Sequence, residues 1–156
     1  MKIRSLTGLE ILDSRGRPTV AAICELENGV RVQAHAPSGA STGKHEAHEL
    51  RDGEAGRYGG KGVRQAVANV GLLREALSGI DAFDQASVDR ALCQADGSAD
   101  KSRLGANALL AVSCAVARAG AESHRLPLWR WLASGRPACL SLDADQSEGG
   151  TTHEPA

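Results

Sequence analysis

Val20-Ala21-Ala22-Ile23-Cys24-Glu25-Leu26-Glu27-Asn28-Gly29-Val30-Arg31-Val32-Gln33-Ala34-His35-Ala36 decides the fold class. Val20, Ala22, Cys24 and Leu26 alternate with Ala21, Ile23, Glu25 and Glu27, the period of two that sends successive side chains to opposite faces of a strand. Asn28-Gly29 comes next. Both residues tolerate the positive φ of a type I′ turn, so the chain is predicted to reverse there. On the returning strand Val30, Val32, Ala34 and Ala36 point inward, while Arg31, Gln33 and His35 point outward. Upstream, Ile3 to Ile11 reads as a further strand with Ile3, Ser5, Thr7, Leu9 and Ile11 on one face. The turn Ser14-Arg15-Gly16-Arg17-Pro18 joins it to the hairpin, which gives a three-stranded antiparallel meander.

Downstream the period changes. Thr42 to Gly60 is polar and rich in glycine and reads as loop with at most one helical turn. Val63, Val67 and Val70 then stand at helical spacing, and Leu72, Leu73, Leu77 and Ile80 extend the apolar supply. Asp84 is placed to cap a second helix, with Phe83 and Val88 set as a hydrophobic staple and Gly97 as the stop. Asp100 or Ser102 is the expected start of a third. In it Leu109, Val112 and Val116 form one stripe, and Ala108, Ala111, Ala115 and Ala119 form a close-packing one. Beyond Pro127, Leu128, Trp129 and Trp131 read as a short helical turn packed on the bundle. Strands followed by helices make an α+β domain, assigned here to residues 1–135. From Asp143 the chain has four acidic and no basic residues, so 136–156 is expected to be a disordered acidic tail.

A chain of 156 residues suits one domain with its own core. The formal net charge of -1 comes from interspersed signs, without the basic footprint of a nucleic-acid binder. The least polar run, Leu104 to Ala121, holds Asn107, Arg118 and many alanines, which disfavours a membrane span. Cys24, Cys93, Cys114 and Cys139 are widely spaced, and no secretory signal opens the chain. A reduced, cytoplasmic set is therefore expected.

Ala36-Pro37-Ser38-Gly39-Ala40-Ser41-Thr42-Gly43 offers hydroxyls, glycines and backbone amides but no base. Such a run binds rather than breaks bonds: small side chains let the main chain approach an anion, and glycines let a loop swing as a lid. A plain flexible connector has the same composition. A nucleotide phosphate loop does not, since Ser38 and His45 occupy its first and last places. His45 and His48, flanked by Glu46 and Glu49, form the one stretch with metal-ligating residue types close in sequence. With no helix to fix their geometry they read as solvated loop residues.

Read together, Ile11-Leu12-Asp13-Ser14-Arg15-Gly16-Arg17-Pro18-Thr19-Val20, the run 36–43 with Glu46-Ala47-His48-Glu49-Leu50-Arg51-Asp52-Gly53, Arg57-Tyr58-Gly59-Gly60-Lys61-Gly62-Val63, and Asp100 to Ser113 resemble the amino-terminal domain of enolase. The resemblance covers about residues 1–135. It implies dehydration of 2-phosphoglycerate to phosphoenolpyruvate with magnesium, on a (β/α) barrel that carries the base, the acid and the metal carboxylates. It also implies that Ser41 gives its hydroxyl and carbonyl oxygens to one magnesium. Ser38, Gly39, Ala40, Thr42 and Gly43 would shape the closed lid, and Arg15 would take an ion-pair or interface role. Glu49, Arg51 and Asp52 would build a hydrogen-bonded turn.

The sequence departs from the family pattern in three places. Ala21 stands where the family has a dimer-interface glutamate, and Arg17 stands where it has asparagine. The barrel segments do not follow, and Glu148 to His153 only faintly echoes one of them. The expectation is a lid domain, inactive alone, that works on a separately encoded barrel or a full-length enolase. A catalytically silent interaction module and a truncated relic are the alternatives.

Overall fold

The meander forms as its alternation predicts. In the computed structural model, which describes residues 1–39, 43 and 45–133, β1 (Ile3–Leu12), β2 (Pro18–Leu26) and β3 (Arg31–Ala36) pair antiparallel in that order. The reversal falls at Asn28-Gly29, with Gly29 at φ 87°, but Asn28 does not take a positive φ, so the turn is not the expected type I′; Leu26 N donates to the Val30 carbonyl at 2.9 Å to close it. The register sets Leu6 beside Cys24, Gly8 beside Ala22 and Glu10 beside Val20, with Ala36, Ala34 and Val32 across from Val20, Ala22 and Cys24.

One face assignment is corrected. An irregularity between Ile3 and Ser5 shifts the register of β1, so the inward set is Ile3, Leu6, Gly8 and Glu10. The expected single face of Ile3, Ser5, Thr7, Leu9 and Ile11 is therefore split: Ile3 stays inward while the other four fall on the far face, where Leu9 is 40% exposed. A one-residue shift exchanges the two faces of a strand because the side-chain period is two.

A turn of 3-10 helix at Tyr58–Gly60 breaks the long loop, followed by α1 (Arg64–Ala76), α2 (Gln85–Asp96), α3 (Ala106–Ser123) and α4 (Leu128–Leu132). Helix α3 lies across β2 and β3, and α1 lies along β1. The expected alanine stripe is buried: Ala108, Ala111, Ala115 and Ala119 are closed from solvent with Val112 and Val116, facing Val20, Ala22, Cys24 and Leu26. Alanine keeps helix propensity high while letting the helix axis come close to the sheet. Asp84 caps α2 by accepting from Ser87 N at 3.1 Å, and Gly97 ends the helix at φ 72°.

Two helix expectations differ from what forms. Helix α3 starts at Ala106 behind Gly105, not at Asp100 or Ser102. Asp100 instead turns back on Ser102 N, and the buried Asp96 carboxylate holds the intervening chain by accepting from Leu104 N at 2.7 Å. In α4 Leu128 and Trp131 are half-buried, with Trp131 stacked on His124 at 4.5 Å and set edge-on to Phe83. Trp129 and Leu132 are 57% and 54% exposed, because a five-residue helix can turn only one side to the bundle.

Among the described residues no helix is long and apolar enough to cross a membrane. Cys24, Cys93 and Cys114 are free thiols. Burial pushes the Cys24 thiol up to about 12, which keeps it protonated. Cys139 and the expected tail, 136–156, lie outside the described residues.

The tightest sheet–helix approach is at Gly8, where an added Cβ would stand 2.6 Å from the Val67 carbonyl oxygen and 3.0 Å from Val70. Gly8→Ala is expected to push α1 off the sheet and cost about 1–3 kcal/mol. Gly71→Ala, on the open side of the same helix with nothing within 4 Å, should be neutral or stabilising. Urea denaturation of both variants, with equal m values, checks the contrast.

Candidate functional site

Side chains from distant elements bond the described backbone groups at and beside the run 36–43. At its leading end Thr19 Oγ1 donates to the Ala36 carbonyl. Two residues on, the Arg15 guanidinium donates to the Ser38 carbonyl at 2.8 Å, and Ser38 Oγ donates to Glu49 Oε2 at 3.1 Å. Glu49 is held in turn by Arg51 at 2.6 Å. Arg51 also donates to the carbonyls of Pro18 at 2.5 Å and Lys61 at 2.6 Å, tying β2 to the loop before α1.

The trailing end is held differently. Gly43 N donates to Glu46 Oε2 at 2.8 Å. His48 then forms two backbone bonds, its N donating to the Asp100 carbonyl at 2.7 Å and its carbonyl accepting from Ala106 N at 2.9 Å. Buried Asn107 pairs with both backbone groups of Leu50, accepting from its N at 3.2 Å and donating to its O at 3.0 Å. The leading end is thus fixed on the sheet, while Gly43 is tied to Glu46 of the same loop and the chain is fixed on the start of α3 from His48 onward.

Ser38, Gly39 and Gly43 are described: Ser38 is half-buried, and both glycines are exposed. Ala40, Ser41 and Thr42 lie outside the described residues, so the expected metal residue, Ser41, has no described position. Arg15 sits at the foot of the run, near Asp13 at 3.6 Å as well as on Ser38. His45 and His48 are exposed, and Glu49 turns to Ser38 and Arg51 instead of toward them. Among the described residues no three of His, Cys, Asp and Glu converge as a metal site would require.

The expected turn at Glu49, Arg51 and Asp52 is present with a reach the sequence did not disclose. Asp52 caps α1 across the loop, accepting from Arg64 N at 2.9 Å and Gln65 N at 3.0 Å. An anion at a helix N-terminus is favoured by the unpaired N–H groups and by the helix dipole. Beside it the largely buried pair Glu10–Arg57 forms a forked ion pair, and Glu10 also accepts from Val63 N at 2.8 Å.

Sequence reasoning missed Glu10, Arg57 and Asn107 as anchors. The available signal was a glutamate among the apolar residues of β1, and its meaning depended on the face it occupied.

The Arg57 hydrogen bonds, aided by the one from Val63, hold the Glu10 carboxyl below its ordinary range. A carboxylate with a lowered folded pKa stabilises the fold above its unfolded pKa and loses that contribution as pH falls through the folded one. Below about pH 4.5 the wild type should therefore lose stability faster than Glu10→Gln. At neutral pH Glu10→Gln should already be weaker by about 1–3 kcal/mol. Thermal unfolding across pH 3 to 7 reads both effects; parallel curves would remove Glu10 from this role.

The family model described as "Enolase, N-terminal domain" matches residues 3–132. That match spans the sheet, the anchored run and all four helices.

Proposed function

Because the chain belongs to the enolase amino-terminal domain family, we propose that it supplies residues 38–43 as a lid over an active site borne by a (β/α) barrel. The reaction proposed is the dehydration of 2-phosphoglycerate to phosphoenolpyruvate. The observation that supports this reading is the anchoring of the leading end through Arg15, Glu49 and Thr19, with the following chain held on the start of α3 from His48. A fixed stem lets a short segment of small residues change conformation while the flanking chain keeps register.

Magnesium takes hard oxygen ligands, and a serine hydroxyl with its own carbonyl provides two. The described residues hold no complete donor set, and the role proposed for this chain is to contribute Ser41 to a magnesium site completed by the barrel. When bound, the metal neutralises charge developing on the substrate carboxylate. The contribution of this chain is to add Ser41 after substrate has entered, to exclude water with Gly39, Ala40, Thr42 and Gly43, and to hold the stem through Ser38. Arg15 is proposed as the residue at the contact with the barrel partner, whether that barrel stands alone or belongs to a full-length enolase.

The test is phosphoenolpyruvate formation from 2-phosphoglycerate and magnesium, with the purified chain titrated into a barrel-only polypeptide from the same organism. Activity should appear and saturate. Ser41→Ala should lower turnover at least about tenfold while association, followed by sedimentation, stays within twofold. A silent mixture containing a folded barrel would move the assignment to a catalytically silent interaction module, and unchanged turnover in Ser41→Ala would remove the metal role.

A further inference from the structure

A concave feature lies at the end of the sheet, outside the anchored run. Gly16, Arg17 and Pro18 of the β1–β2 turn form one wall, Tyr58, Gly59 and Lys61 form the other, and about 410 Å³ lies between them. No carboxylate lines it. Asp13, the acid of the turn, accepts from the backbone N–H groups of Arg17 at 2.9 Å and Arg15 at 2.8 Å; these bonds hold its carboxyl below the usual range, so it keeps its charge beside the cleft without lining it.

The Arg17 guanidinium and the Lys61 ammonium have no hydrogen-bond or ion-pair partner among the described residues. Arg4, Arg15, Arg51 and Arg57 are each engaged. Arg17 and Lys61 line the cleft from two different segments, and both charged ends are free to meet an anion that enters it. The walls are also braced: Arg51 binds the Pro18 carbonyl on one side and the Lys61 carbonyl on the other.

Both walls are open to close approach, since a Cβ added at Gly16 or Gly59 would meet nothing within 4 Å. Tyr58 holds a left-handed backbone at φ 49°, with the Arg57 guanidinium 4.8 Å from its ring centroid. A bulky residue kept in that region is strained, and such strain clusters at ligand clamps.

We propose that this cleft binds a phosphate group carried by a small molecule, with Arg17 and Lys61 as cationic ligands and the Tyr58 hydroxyl as a further donor. A phosphate dianion matches two cations, and its oxygens accept together from a guanidinium fork, an ammonium and a phenol. A monocarboxylate leaves one of the two cations unmatched. The role assigned to Arg17 is independent of the lid and of any barrel partner.

The test is titration of the full chain, ¹⁵N-labelled, with inorganic phosphate at constant ionic strength, with chloride and malonate as parallel arms. Amide shifts at Gly16, Arg17, Tyr58, Gly59 and Lys61 should saturate with phosphate and not with chloride. The Arg17→Gln, Lys61→Gln double variant should raise the Kd about tenfold or more, with its thermal unfolding unchanged because both side chains are exposed and unpaired. If the double variant loses its fold, Lys61→Gln alone decides by the same shift in Kd. Non-saturating shifts, or a Kd indifferent to the substitutions, would overturn the site. Malonate binding as tight as phosphate would overturn the phosphate assignment.

Discussion

Glu10 stands on the face of β1 that looks into the domain, where the paired positions on β2 and β3 carry Val20 and Ala36. A carboxylate there costs desolvation unless it is paired and hydrogen-bonded. Arg57 and Val63 N meet that need, and much of the structure follows from how they do so. Arg57 brings the loop before α1 down onto the strand, while Val63 sets the start of the helix beside Glu10. From there α1 runs back along β1, with Val67 and Val70 over Gly8 and the Arg74 guanidinium on the Arg4 carbonyl. One ion pair therefore sets both the path of the loop and the register of a helix on a sheet.

The long stretch between β3 and α1 follows the same logic. Irregular backbone close to a core must find partners for its N–H and C=O groups. Arg51 binds two carbonyls from different elements, Asn107 binds both backbone groups of Leu50, and Asp52 caps α1 from twelve residues upstream. These bonds make the stretch a brace between sheet and bundle. They also hold the chain that follows the run of small residues at 38–43, a feature on which its proposed role as a lid depends.

The braces place two kinds of surface near one another without merging them. At the foot of the run, Arg15 and Glu49 are committed to Ser38, so their charges hold the chain in place. A few residues away, Arg17 and Lys61 have no partner among the described residues and face a cleft. The distinction between a structural cation and one free to recognise an anion lies in those partners, because residue type and spacing are alike in both.

The meander, the helical order, the Asp84 cap, the Gly97 stop and the alanine stripe of α3 were determined by the sequence alone, since each rests on a period or on a residue within a few positions of its partner. The family likeness was equally legible, being carried by contiguous motifs. The inward face of β1, the start of α3 at Ala106, the outward turn of Trp129 and the anchoring roles of Glu10, Arg57 and Asn107 were decided only in three dimensions. Each depends on contacts between residues far apart in the chain, or on a register shift that leaves the apolar pattern of the sequence unchanged.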